Sequence, residues 1–135
     1  MNKRHLAGIA FGVAAASLIG VTMLPPAKEA CAAEPKMSFA EDVMPVFRGR
    51  CISCHQPSGK GYEQSGLDLS TYEGVMKGTK HGPIVDPGDP DTSNLMWLLD
   101  WRASPAVRMP HGQKKLSTCD RNAIRGWIRQ GAKNN

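Results

Sequence analysis

Two cysteines and a histidine lie close together in the stretch 50–56, which reads RCISCHQ. Cys51 and Cys54 are separated by two residues, and His55 follows at once. Thiols and an imidazole in this spacing serve three kinds of chemistry: a metal knuckle, a redox dithiol, or the covalent attachment of haem. The choice among these three decides most of what the chain can do.

The rest of the sequence favours haem attachment. A zinc site needs four ligands, usually from a second pair at similar spacing, and the other cysteines and histidines show no such spacing. A thioredoxin-like dithiol needs a strand–helix–strand setting, and no strand is predicted before Cys51. Two thiols one helical turn apart can reach both vinyl groups of a porphyrin. The sequence therefore predicts one covalent haem c on Cys51 and Cys54, with His55 as the proximal ligand.

The second axial ligand is predicted to be Met109, in the stretch RMPHG. Pro110 fixes its own φ and keeps Met109 extended, so that the thioether points inward from a stiff loop. Met/His ligation raises the reduction potential of haem iron. His111 is the rival ligand and would give a bis-histidine iron of lower potential, and His81 is a further candidate. We expect the iron to be bound by His55 and Met109.

The elements that must position these residues are predicted to be helices. The first begins at Ser38, in the capping box SFAE in which Glu41 reaches back, and Pro45 kinks or splits it. The second follows the capping box STYE at 70–73 and ends at Gly78.

Two further helices are predicted after an irregular segment rich in proline and glycine. The third spans 94–101. The fourth starts near Ser117 or Thr118 and ends at Gly131. No convincing strand is found, so the fold class is all-α: about four helices with long ordered loops. The core is thin, and a large apolar cofactor would complete it.

Several apolar residues are assigned to this core. Trp97, Trp101 and Trp127 are expected to pack inside, with Trp127 the best neighbour of the haem. Leu67 and Leu69 alternate with polar residues and are expected to cover an edge of the haem.

The N-terminus has the anatomy of a secretory signal peptide. A basic start is followed by the uncharged stretch 6–24 and by small residues, with Ala30 and Ala32 in A-x-A spacing. We predict a signal peptide at 1–33 and one domain at 34–135. Because the uncharged stretch approaches the roughly 20 residues of a membrane helix, an uncleaved anchor is the alternative. Either way the domain is exported, and a periplasmic location is predicted.

Cys119 has no intramolecular partner once the signal peptide is removed. We predict a buried, small hydrophobic residue, with a free thiol or an intermolecular disulfide as alternatives. A bridge to Cys31 becomes possible if cleavage precedes that residue.

The charge pattern gives no sign of a nucleic-acid site. The net charge is +5 at pH 7, but the basic residues are scattered and form no stripe. We expect no nucleic-acid partner.

The chain resembles a known family in five successive blocks: DVMPVFRGRCISCHQ, SGLDLSTYEGVMKG, IVDPGDPDTSNLMWLL, RMPHGQKKLS and AIRGWIRQGA. These are similar to blocks of the small class I-like c-type cytochromes found alone or within large secreted cytochromes of planctomycetes and their relatives. The resemblance implies an all-α cytochrome c fold around one haem, held by Cys51 and Cys54, with His55 and Met109 as axial ligands. The family often has a second proline where this chain has His111.

We therefore predict an exported monohaem cytochrome that carries single electrons between redox partners by Fe(III)/Fe(II) cycling. It is expected not to be an enzyme and to have no catalytic residues and no small-molecule substrate. Its partners are expected to be redox proteins met through a transient interface, and a membrane only if the N-terminal segment is retained. The alternatives are a dedicated electron-accepting subunit of an exported oxidoreductase, or a haem-based gas sensor or peroxidase-like enzyme with an open sixth site.

Overall fold

Five α-helices follow one another in the computed structural model, which describes residues 35–135. They are α1 (Met44–Arg50), α2 (Lys60–Ser65), α3 (Tyr72–Lys77), α4 (Asn94–Leu99) and α5 (Thr118–Arg129). A π-helical turn, Phe39–Val43, leads into α1, and a 3-10 turn, Pro105–Val107, lies between α4 and α5. The described residues contain one isolated bridge, between Thr79 and Gly82, and no strand. The all-α prediction is confirmed for this part of the chain.

The predicted signal peptide, its cleavage site and the alternative anchor lie outside the described residues. Between residues 35 and 135, no helix combines the length and the apolarity that crossing a membrane requires.

The first helical segment begins at Ser38, as predicted. Its hydroxyl oxygen accepts a hydrogen bond from the Glu41 amide at 3.2 Å. The reciprocal partner is Asp42, whose carboxylate accepts from the Ser38 amide at 2.7 Å. Glu41 was the wrong prediction for this role, because the wider π turn brings the residue four positions on toward the Ser38 amide. The segment changes from π to α geometry just before Pro45, which lies in the first turn of α1, where its missing N–H is harmless.

The N-cap of α3 is shifted by one residue from the predicted capping box. Thr71, and not Ser70, accepts a hydrogen bond from the Gly74 amide, at 3.0 Å. The Ser70 hydroxyl instead donates to the Asp68 carboxylate at 2.6 Å. The helix ends at Gly78, as predicted, where φ is 79°.

The last two helices follow the sequence pattern except at the end of α4. It stops at Leu99, short of the predicted Trp101, because Trp101 leaves the helix with a left-handed φ of 63°. Ser117 caps α5, accepting from the Asp120 amide at 3.0 Å. Gly131 follows the end of α5 with a φ of 96°. Helix α2 and the 3-10 turn were not predicted.

An aromatic cluster joins the π turn, α1, α3 and α5. The Phe39 ring lies 5.2 Å from Tyr72, 5.3 Å from Trp127 and 6.5 Å from Phe47, as centroid distances. Trp127 is 1% exposed, and the Tyr72 hydroxyl donates to the Ala132 carbonyl at 2.9 Å. Leu67 and Leu69 are buried in the same core.

Two of the predicted core residues are exposed. Trp97 is 46% exposed and its ring is covered by the Arg102 guanidinium, 4.6 Å from the ring centroid. Cys119 is exposed, and no disulfide includes it within the described residues. It lies on the face of α5 opposite to the buried Ile124 and Ile128. Cys31, its possible partner, lies outside those residues.

Candidate functional site

The C-x-x-C-H residues form a compact turn directly after α1. The amides of Cys51 and Ile52 both donate to the Phe47 carbonyl, at 2.8 and 2.9 Å. The amides of Cys54 and His55 both donate to the Cys51 carbonyl, at 3.1 and 3.0 Å. The two thiols are not bridged to each other; Cys51 is half-buried and Cys54 is exposed. The turn thus holds two thiols and an imidazole together.

The Cys51 thiol is poorly suited to dithiol redox chemistry. Burial raises its pKa to about 11, although the nearby Arg50 charge partly opposes this effect. Because the thiolate is the nucleophile in thiol–disulfide exchange, a raised pKa disfavours the redox alternative to haem. A thioether is uncharged and carries no ionisation penalty at this position. No three His, Cys, Asp or Glu side chains between residues 35 and 135 are arranged to hold a metal ion.

The imidazole of His55 is held with one nitrogen inside the protein. Nδ1 is buried and has no hydrogen-bond partner within the described residues. Burial lowers the pKa of His55, while the backbone of Leu67 raises it by a smaller amount. The neutral form favoured by burial is the form that binds metals. The His55 carbonyl also accepts a hydrogen bond from the Leu69 amide at 2.8 Å, which joins the turn to the buried leucines.

Two glycines give the turn the space it needs. A Cβ atom at Gly61 would lie 2.8 Å from Cε1 and 3.0 Å from Nδ1 of His55. A Cβ atom at Gly59 would overlap the Cys54 carbonyl. Neither glycine was predicted as a site residue, although the G-x-G spacing follows the motif closely in the sequence. Gly61 therefore lies directly against the ring edge of His55 that carries Nδ1, whereas Gly59 lets the backbone pass close to the Cys54 carbonyl.

Met109 lies in the loop that follows the 3-10 turn, and its backbone is fixed on both sides. Its amide donates to the Leu98 carbonyl at 3.3 Å, and its carbonyl accepts from Nε1 of Trp101 at 2.9 Å. Its peptide bond to Pro110 is cis. The Met109 side chain is half-buried against the hydrophobic core, whereas His111 is exposed.

Arg50 links the C-x-x-C-H turn to residues 109–114, which we call the Met109 loop. Its Nη2 donates to the Lys114 carbonyl at 2.8 Å and its Nε donates to the Gln113 side chain at 3.3 Å. Cys51 and Met109 also pack against the same core cluster. The sequence analysis missed this role of Arg50, because its partners lie more than 60 positions away.

The residues present fit a covalently attached haem c. The turn carries two unbridged thiols and one imidazole, and the loop after the 3-10 turn carries the Met109 thioether, which are the kinds of groups that haem c requires. The buried Nδ1 and the close approach of Gly61 support the fit, since they hold the ring of His55 with Nδ1 inside and leave Nε2 as the nitrogen for a metal. His81 is exposed and lies outside the turn.

Comparison with known proteins found a family that matches the segment carrying these residues. Residues 51–111 match a family model described as "Planctomycete cytochrome C". The match begins at Cys51 and extends past Met109, so it includes every predicted site residue. No curated protein and no solved structure matches the chain. The match supports a cytochrome c domain of the planctomycete type in this segment and suggests a haem-binding electron-transfer protein.

Proposed function

We propose that this protein is an exported monohaem c-type cytochrome that carries single electrons between redox partner proteins. The observation that carries the proposal is the single turn that presents Cys51, Cys54 and His55 together, with Nδ1 of His55 buried, within the matched segment. Haem c, when bound, supplies the one-electron Fe(III)/Fe(II) couple. The protein carries out no chemistry on a substrate.

The residues of the chain have separate tasks in this function. Cys51 and Cys54 would hold the group as thioethers, so that it would not be lost outside the cytoplasm. His55 and Met109 would bind the iron. If both ligands are retained in the two oxidation states, little reorganisation would accompany electron transfer. The half-buried position of Met109 and the exposure of His111 support the choice of Met109 as the second ligand.

Export and partner binding are part of the same proposal. The signal-peptide pattern of residues 1–33 supports a periplasmic location. We expect a small, transient interface with each redox partner.

An optical spectrum of the purified protein, oxidised and reduced, with and without carbon monoxide, tests the proposal. We expect sharp low-spin bands when reduced, a weak far-red sulfur-to-iron band when oxidised, and no response to carbon monoxide. Absence of the sulfur band, or ready binding of carbon monoxide, would contradict the proposal and favour His111 or an open iron, respectively.

Replacing the ligand gives a sharper form of the same test. We expect Met109→Ala to lose the far-red band, to bind carbon monoxide and to have a lower reduction potential. Met76→Ala is the matched control, because Met76 is also half-buried against the core but belongs to α3. His111→Gln should leave the spectrum unchanged. An unaltered spectrum and potential in Met109→Ala would show that the ligand assignment is wrong.

A further inference from the structure

Trp101 occupies a backbone position where a large residue is unfavourable. Helix α4 ends in the hydrogen-bond pattern of a Schellman motif: the Trp101 amide donates to the Leu98 carbonyl at 3.2 Å, and the Arg102 amide donates to the Trp97 carbonyl at 3.1 Å. The residue at this position adopts a left-handed conformation and is usually glycine. Trp101 has a φ of 63°, and a bulky residue with positive φ is an outlier. Such strain persists where the surrounding structure holds it and is often connected with function.

The indole of Trp101 is used to hold the Met109 loop. Its Nε1 donates to the Met109 carbonyl at 2.9 Å. The Met109 amide donates to Leu98, whose carbonyl also accepts from the Trp101 amide. The end of α4 therefore fixes both backbone polar groups of Met109.

Two cations hold the indole itself. The Arg108 guanidinium lies 5.4 Å and the Lys115 ammonium 5.8 Å from the centroid of the Trp101 ring. Each is tied to nearby backbone: Arg108 donates to the Ala103 carbonyl at 3.0 Å and Lys115 to the Asp100 carbonyl at 2.6 Å. The residues before and after the Met109 loop thus fix the indole by cation–π contacts.

We propose that Trp101 is a positioning residue that keeps Met109 on the iron by a hydrogen bond from its indole to the Met109 carbonyl. The inference rests on the proposed function, in which Met109 is an axial ligand. Trp101 does not touch the iron. It limits the movement of the loop and therefore slows dissociation of the Met109 sulfur.

The test compares Trp101→Phe with Trp97→Phe in the haem-loaded protein. Phenylalanine keeps an aromatic ring for Arg108 and Lys115 but removes the N–H donor. Trp97, in α4, is the matched control, because an arginine side chain also covers its ring. No hydrogen bond within the described residues joins its side chain to the Met109 loop. The rate at which imidazole replaces Met109 in the oxidised protein is measured by the loss of the far-red band.

We expect imidazole to bind about two- to tenfold faster to Trp101→Phe, the factor that corresponds to losing one hydrogen bond. Trp97→Phe should behave as the wild type. Equal rates in all three proteins, or the same increase in Trp97→Phe, would overturn the role of Trp101. A wild type without the far-red band would overturn the proposed function and this inference together. A wild type that has the band, with equal rates in the three proteins, would overturn only the role of Trp101.

A measurement on the wild type covers the case in which Trp101→Phe does not fold. Hydrogen exchange of the Trp101 indole N–H, followed by nuclear magnetic resonance, is expected to be slow in the oxidised protein and to accelerate when excess imidazole displaces Met109. An indole N–H that exchanges as fast as in a free peptide would overturn the proposal.

Discussion

At the scale of single residues, Gly61 controls how closely the backbone approaches the imidazole of His55. Its missing side chain leaves room for the ring edge that carries Cε1 and Nδ1, at distances at which a methyl group would overlap both atoms. Gly61 also lies in the first turn of α2, where alanine would normally be the better residue. The presence of glycine at this position is therefore explained by the neighbouring ring and not by the helix.

We predict that Gly61→Ala disturbs the iron site. The added Cβ must push the His55 imidazole or the Cys54 carbonyl, and overpacking of this kind costs about 1–3 kcal/mol of the free energy of unfolding. Urea denaturation and the oxidised optical spectrum measure the two effects. Gly49→Ala is the control, because nothing lies within 4 Å of a Cβ at Gly49 in α1, and there we expect unchanged spectra and a slightly higher stability. Identical behaviour of the two variants would show that Gly61 does not constrain the ring.

At the scale of elements, Asp100 joins the end of α4 to α5. Its carboxylate accepts from Arg121 at 2.8 Å and from Arg125 at 2.6 Å, and its side chain is 16% exposed. Burial raises the pKa of Asp100, but the hydrogen bonds and charges of the two arginines outweigh this effect and hold the pKa below its ordinary value. Because Asp100 immediately precedes Trp101, this contact also fixes the segment that holds the Met109 loop.

We predict that Asp100→Asn lowers the free energy of unfolding at pH 7 by about 1–2 kcal/mol, the scale of charge-assisted hydrogen bonds on a partly exposed carboxylate. A depressed pKa in the folded state means that the contribution of the wild-type carboxylate is present above its ordinary pKa near 3.8 and is lost as the pH falls below that value. The difference between wild type and variant should therefore shrink between pH 5 and pH 2. Urea titrations at several pH values measure it, with the exposed Asp91→Asn as control. A difference independent of pH would contradict the electrostatic origin.

The limits of the sequence analysis are clearest at this scale. Ser38 was predicted as an N-cap and the start of α5 was predicted near Ser117 or Thr118, because a helix start depends on residues within one turn. Helix α2 was missed because GKGYEQSG contains three glycines and no apolar periodicity, and tertiary contacts rather than propensity fix its position. The end of α4 was predicted two residues too late, at Trp101. The contact that accompanies the early end, between the Trp101 indole and the Met109 carbonyl, is not visible in the local sequence.

In the candidate site, too, local features could be predicted from the sequence and long-range contacts could not. The types and order of Cys51, Cys54 and His55 are local, and the sequence alone was sufficient to predict haem chemistry for them. The roles of Arg50 and Trp101 depend on the Met109 loop coming back to the end of α1 and to the end of α4. Such contacts join positions far apart in the sequence, and one chain without a structure carries no sign of them.

At the scale of the whole molecule, Asn135 joins the end of the described chain to the residues at the start of the π turn. Its side-chain oxygen accepts from the Phe39 amide at 3.0 Å, and its side-chain nitrogen donates to the Met37 carbonyl at 3.2 Å. The Asn135 carbonyl accepts from the Ser38 hydroxyl at 2.7 Å and from the Ala40 amide at 3.0 Å. The end of the chain thus satisfies amides at the start of the π turn that have no partner within that turn.

We predict that Asn135→Ala lowers the free energy of unfolding by about 1–2 kcal/mol, because two side-chain hydrogen bonds are lost and the Phe39 amide loses its acceptor. The exposed Asn134→Ala is the matched control and should leave stability unchanged. Because Phe39 is the centre of the aromatic cluster, loosening it should also disturb Tyr72 and Trp127. Near-ultraviolet circular dichroism during thermal unfolding measures both effects, whereas the far-red band of the oxidised protein should remain until unfolding. Loss of that band before the aromatic signal would mean that Asn135 acts on the iron site and not on the closure of the fold.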